Sequence, residues 1–191
     1  MTAFFTRSWK RLSWAAALLA LFLGAMPPAG AEGIEVKSAA LVNAEDGYYL
    51  DAEFAVALTP ALEDALNKGV PLYFALEFDL IRPRWYWFNE KIASSRQQYR
   101  LSYNALTRQY RVGIGTLYQN FGSLSEAFNF LSRVRLREIA EPDALGKGVS
   151  YTAALRLRLD ISQLPRPFQI SAVGSRDWSV GSDWHRWTVT P

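Results

Sequence analysis

Alternation between apolar and polar residues runs through most of the chain after residue 33, and it sets the expected fold. From residue 50, Leu50, Ala52, Phe54, Val56 and Leu58 share one side while Asp51 and Glu53 take the other, the two-residue period of a half-buried strand. The Glu45-Asp46-Gly47 turn separates this run from an earlier one over 34–44, so the two read as a hairpin. A longer strand is predicted over about 70–81, with Leu72, Phe74, Leu76, Phe78 and Leu80 against Tyr73, Ala75, Glu77, Asp79 and Ile81, ended by Pro83. Aromatic-rich segments around 85–88, 97–103 and 109–114 read as meander strands, with Asn104-Ala105-Leu106-Thr107 turning between the last two. The cleanest pattern comes later, where Val149, Tyr151, Ala153, Leu155, Leu157, Leu159 and Ile161 point inward and Arg156, Arg158 and Asp160 outward. One or two further strands are expected near Trp178, Trp184 and Trp187.

Two segments switch to helical spacing. Thr59 and Pro60 open a short helix with Glu63 and Asp64 early, Lys68 late and Gly69 at the end, each residue suited to its position by capping or dipole. Ser123 and Glu126 form a capping box before Leu124, Ala127, Phe128 and Leu131, an apolar stripe fit to lie across a sheet. The expected fold is therefore mainly β: an antiparallel β-sandwich-like domain with two short helices, residues 32–191.

Residues 1–31 follow different rules. Arg7, Lys10 and Arg11 precede an apolar run over 12–26, then Pro27, Pro28 and Ala29-Gly30-Ala31. This is the order of a cleavable secretory signal peptide, with a small-residue cleavage site. The run is shorter than the roughly 20 apolar residues a membrane span needs. Export with cleavage near Ala31, into the periplasm, is the expectation. Without cysteine, neither lipid attachment at a new N-terminus nor a disulfide is available. Removing the leader also removes the whole net charge of +3, so the high isoelectric point says nothing for nucleic acid as a partner. The segment 32–81 is acidic and 82–191 basic. In a compact sheet protein the two can interleave and cancel.

Candidate chemistry is sparse. The single histidine, His185, lies in Asp183-Trp184-His185-Arg186-Trp187, with no nucleophile elbow elsewhere; a space-filling or surface role beside the tryptophans is the plainer reading. One His and no Cys make a poor zinc set, and no cofactor is indicated. Glu77 and Asp79 share a strand face, as a glycosidase pair or a solvated surface would. More distinctive is Arg82-Pro83-Arg84-Trp85-Tyr86-Trp87-Phe88, because one sheet face cannot bury four consecutive aromatics. This segment meets either a second layer of the protein or a partner, whether peptide, sugar or bilayer surface. Arg133, Arg135, Arg137, Arg156 and Arg158 offer either a basic stripe or an ordinary soluble strand surface.

Arg-Pro-Arg-Trp-Tyr-Trp at 82–87, Tyr99-Arg100-Leu101-Ser102-Tyr103, the helix start at Ser123 to Glu126, Asp177-Trp178-Ser179 and the Trp184-His185-Arg186-Trp187 ending resemble, in this order, an uncharacterised family of exported bacterial proteins. That family is a domain of unknown function whose members are sometimes labelled proline-rich signal-peptide proteins. The resemblance covers the chain beyond the leader and brings no catalytic residues. Its genes often adjoin a membrane sensor kinase of the nitrogen-regulation type, which implies an envelope partner by association. The expected function is a non-enzymatic periplasmic binding domain, associated with an envelope sensor or signalling protein and presenting Arg82, Arg84, Trp85, Tyr86, Trp87 and Phe88 to a protein or peptide. The alternative is a carboxylate-dependent hydrolase of cell-wall glycan using Glu77 and Asp79. A small outer-membrane barrel fits the two helices badly.

Overall fold

The computed structural model describes residues 33–191, apart from Trp87, Pro142 and Val173 and the side chains of Arg137, Glu138 and Arg176. The signal-peptide expectation for residues 1–31 lies outside the described residues. Two antiparallel sheets share one core. The first orders its strands β1 (Gly33–Ala44), β2 (Gly47–Ala57) and β7 (Arg133–Ala140). The second has six strands: β6 (Leu117–Phe121), β5 (Gln109–Ile114), β4 (Glu90–Asn104), β3 (Leu72–Arg82), β8 (Tyr151–Leu159) and β9 (His185–Val189). Leu50, Ala52 and Phe54 from the small sheet join Phe74, Leu76, Phe78, Leu80, Leu101, Leu155 and Leu157 from the large one in a single buried cluster. The alternation read from sequence thus marks the inner faces of both sheets.

Helix α1 (Pro60–Asn67) carries the chain from β2 to β3. Thr59 Oγ1 accepts from Leu62 N at 3.3 Å and donates to the Asp177 carbonyl at 2.6 Å, so one hydroxyl caps the helix and ties it to the C-terminal region. Helix α2 (Leu124–Leu131) takes the chain from the edge of the large sheet to β7 in the small one, burying Ala127 and Leu131. Ser123 Oγ accepts from Glu126 N at 3.2 Å, while the Glu126 carboxylate accepts from Gly122 N at 3.0 Å, one residue before the usual capping-box donor.

Two expectations need correction. Residues 83–89 are not a strand: Pro83 cannot donate to a ladder, β3 stops at Arg82, and the segment becomes the tip of the β3–β4 hairpin. The helices number three among the described residues, because α3 (Arg166–Ala172) follows Pro165. A Pro-Arg-Pro sequence reads as a loop, yet proline fits the first helical turn, where no intrahelical donor is needed. The end of the chain contributes one strand, β9, within the one or two expected, preceded by 3-10 turns at Ile161–Gln163 and Arg176–Trp178. Of the two readings of the arginines, the single stripe is ruled out because they divide between sheets: Arg133 and Arg135 lie on β7, and Arg156 and Arg158 on β8. Strand β6, not anticipated, follows β5 through Gly115-Thr116, where Gly115 takes φ +58°.

Candidate functional site

The β3–β4 tip is built by the strands below it. Register shifts between Leu80 and Ile81, so β4 carries an extra residue there, and such a bulge bends and twists the hairpin end. Arg82 pairs with Glu90 across the ladder. Glu90 accepts from Arg84 Nη2 at 2.5 Å and lies 4.0 Å from Arg82 Nη1. Asn89 Oδ1 accepts from the Arg84 backbone N–H at 3.4 Å. These contacts clasp the base of the loop and leave Trp85, Tyr86 and Phe88 outside. Trp85 is 94% exposed, Tyr86 66% and Phe88 85%, and the Trp85 and Tyr86 rings meet edge to face at 5.2 Å. Trp87 lies outside the described residues. Burying a large apolar side chain is worth about 1.5–3 kcal/mol, so a cluster of exposed rings forgoes stabilisation that the domain itself does not collect. Clustered exposed apolar surface of this kind characterises interaction sites.

Glu77 and Asp79 point to the outer face of the large sheet, as the alternation predicts, but each is already engaged. Glu77 is paired with Arg158 at 3.0 Å and with Arg156 through a shorter contact, and Arg96 lies 3.9 Å away. The register explains the cluster, since Glu77 faces Arg96 on β4 and Arg156 on β8. Burial opposes ionisation of Glu77, but hydrogen bonds and positive charge from Arg158 and Arg156 outweigh it and hold the carboxyl below its ordinary range. For Asp79, burial and the nearby Glu77 charge are outweighed by Lys91 at 2.9 Å and the Ser94 hydroxyl at 2.7 Å, and its carboxyl too is lowered. Both are acids held ionised, whereas a general acid needs a raised value. The acidic β3 thus lies between basic strands, and Asp51 on β2 likewise meets Arg135 on β7 at 2.9 Å, so the opposed charges of the two sequence halves interleave.

His185 is exposed at the start of β9, its ring 5.6 Å from that of Trp187, which in turn lies 6.2 Å from Phe78. Arg156 stacks 4.5 Å from the centre of the Trp184 ring. Among the described residues no group of His, Cys, Asp and Glu is arranged to hold a metal ion. Sequence reasoning missed a cleft on the same outer face, lined by Tyr73, Arg100, Arg111, Gly113 and Tyr118. Alternation alone sends Arg100 outward; only strand register sets it beside residues of β5 and β6.

The fold and surface define a class: a two-sheet antiparallel β domain whose Glu77 and Asp79 are committed to ion pairs and which displays Trp85, Tyr86 and Phe88 on a hairpin tip. Within that class, the chain belongs to the family described as Domain of unknown function (DUF4390), whose model matches residues 31–188. No curated protein and no solved structure matches it.

Proposed function

We propose that this domain is a non-enzymatic interaction module of the cell envelope, working in the periplasm once residues 1–31 are removed, and that the β3–β4 tip grips a protein or peptide partner. The observation that carries the reading is the exposure of Trp85, Tyr86 and Phe88 on a clasped hairpin end. Aromatics and arginine are the side chains that most often anchor protein interfaces, and the Arg84–Glu90 clasp limits the ordering cost of binding. Ion pairing of Glu77 and Asp79 favours this reading over the glycan-hydrolase one, since neither carboxyl is placed to donate a proton. A membrane sensor of the kind encoded beside the family's genes is the partner expected.

Photo-crosslinking tests it in intact cells producing the full chain. A photoreactive phenylalanine analogue in place of Trp85 should yield a discrete adduct with an envelope protein, and adding Tyr86→Ala and Phe88→Ala should abolish it. Adducts confined to cytoplasmic proteins, with the leader uncut, refute the proposal. So does an adduct that persists undiminished in the double alanine background.

A further inference from the structure

The outer face of the large sheet carries a second surface, far along β3 from the hairpin tip. In cross-strand register, Tyr73 on β3 faces Arg100 on β4, Arg100 faces Gly113 on β5, and Gly113 faces Tyr118 on β6. Gly113 leaves a gap in that row, and the gap is the floor of an open cleft of about 570 Å³, within the size range of small-molecule sites. Arg111, two residues before Gly113 on the same face, is the diagonal neighbour of Arg100, a relation that sets the two backbones about 7–8 Å apart. A group lying over Gly113 is therefore within the reach of both long side chains.

Both guanidinium groups are positioned by the protein. Arg111 lies 4.5 Å from the centre of the Tyr118 ring and donates from Nε to Asn120 Oδ1 at 3.0 Å. Arg100 lies 5.8 Å from the centre of the Tyr73 ring. Neither is ion-paired among the described residues, and the cleft lining contains no Asp or Glu. On this sheet face Arg96, Arg156 and Arg158 each meet a carboxylate, whereas Arg100 and Arg111 share one cleft without one. The two guanidinium groups flank the Gly113 gap, Arg100 on the Tyr73 side and Arg111 on the Tyr118 side, and with no counter-charge in the lining an anion between them is attracted by both. The planar fork of arginine matches the oxygens of carboxylate and phosphate groups.

We propose that Arg100 and Arg111, with Gly113 as the floor between them, form a binding site for an oxyanion, the carboxylate or phosphate group of a small ligand. The Ser102 hydroxyl and the Gln98 amide on the same lining supply neutral hydrogen-bonding groups beside the charge. The site is independent of the hairpin tip and stands or falls separately from it.

The test is a titration of the purified full-length protein with inorganic phosphate, and separately with citrate, at constant ionic strength set by chloride. Binding is followed by NMR of the arginine Nε–H groups. Saturable shifts at Arg100 and Arg111, with Arg166 and Arg186 unmoved, are expected for at least one anion. Saturation by phosphate alone assigns a phosphate ligand, by citrate alone a carboxylate, and by both a general oxyanion site. Arg100→Gln and Arg111→Gln should each weaken binding about ten-fold or more, the worth of a charge-assisted hydrogen bond. A Cβ on Gly113 meets nothing closer than 3.6 Å, so Gly113→Ala should fold and keep both charges while raising the cleft floor, and should weaken binding. Linear shifts shared by all exposed arginines, or binding unchanged in the three variants, overturn the proposal.

Discussion

Replacing Glu77 with glutamine keeps the side-chain shape but removes the negative charge between Arg156 and Arg158. The Glu77 side chain is 16% exposed and the two arginines 29% and 33%, so the site lies between two regimes. Breaking a fully buried pair costs about 3–5 kcal/mol, and an exposed pair is worth about 0.2–1 kcal/mol. Arg96, 59% exposed and 3.9 Å away, adds little. Glutamine still accepts one hydrogen bond, so a loss of about 1.5–2.5 kcal/mol is expected at neutral pH. With a urea dependence of about 2 kcal/mol per molar, the unfolding midpoint should fall by about 1 M, read from tryptophan fluorescence at equilibrium. The same ion pairing fixes the pH dependence. Glu77 titrates below its ordinary value of 4.5 in the folded protein, so its contribution is complete above that value and lost as pH falls through the lowered one. The difference between Glu77→Gln and the parent should therefore be full at pH 7 and shrink below about pH 4. A difference of under about 0.5 kcal/mol at pH 7, or one of equal size at both pH values, would refute the reasoning.

Other perturbations probe single contacts. Thr59→Ala removes both the α1 cap and the bond to the Asp177 carbonyl, and should cost about 1–2 kcal/mol in urea unfolding. A Cβ on Gly181 would stand 2.9 Å from Arg158 Cβ and 3.3 Å from its Cα; Gly181→Ala should lower stability by about 1–3 kcal/mol, whereas Gly113→Ala should leave it nearly unchanged. Arg108 holds φ +53° in the β4–β5 turn, a conformation that favours glycine, so Arg108→Gly should raise the midpoint by about 0.5–1 kcal/mol equivalent. Burial pushes the Tyr99 phenol up to about 12. Because the unfolded chain releases that proton near the ordinary value of 10, stability should decline as pH rises from there toward the folded value, and an ultraviolet titration should show a tyrosine that ionises late.

Much of the fold was legible because its signals are local. The alternation of Leu72 to Leu80 and Tyr151 to Leu159 identified the inner faces of β3 and β8, and Thr59-Pro60 and Ser123 with Glu126 marked two helix starts. Four aromatics in a row could not all be buried by one sheet face, which left a second layer or a partner open; only the hairpin tip decided that Trp85, Tyr86 and Phe88 are exposed. Pro83 was legible as the end of β3, but not that the residues after it form a tip rather than another strand. Helix α3 escaped because Pro165 and Pro167 carry the same local message in a loop and in a first helical turn.

The sequence by itself determined the two-residue period, the helix caps, the shared strand face of Glu77 and Asp79, and the distinct character of residues 1–31. Only tertiary structure decided which strands became neighbours, because pairing joins residues far apart in the chain and a period of two is blind to the partner. That choice brought Glu77 between Arg96 and Arg156, neutralising carboxylates that alternation alone left open to catalysis. The same choice set Arg100 diagonally beside Arg111 with Gly113 next to it, leaving two arginines without a counter-charge at a gap in the sheet surface.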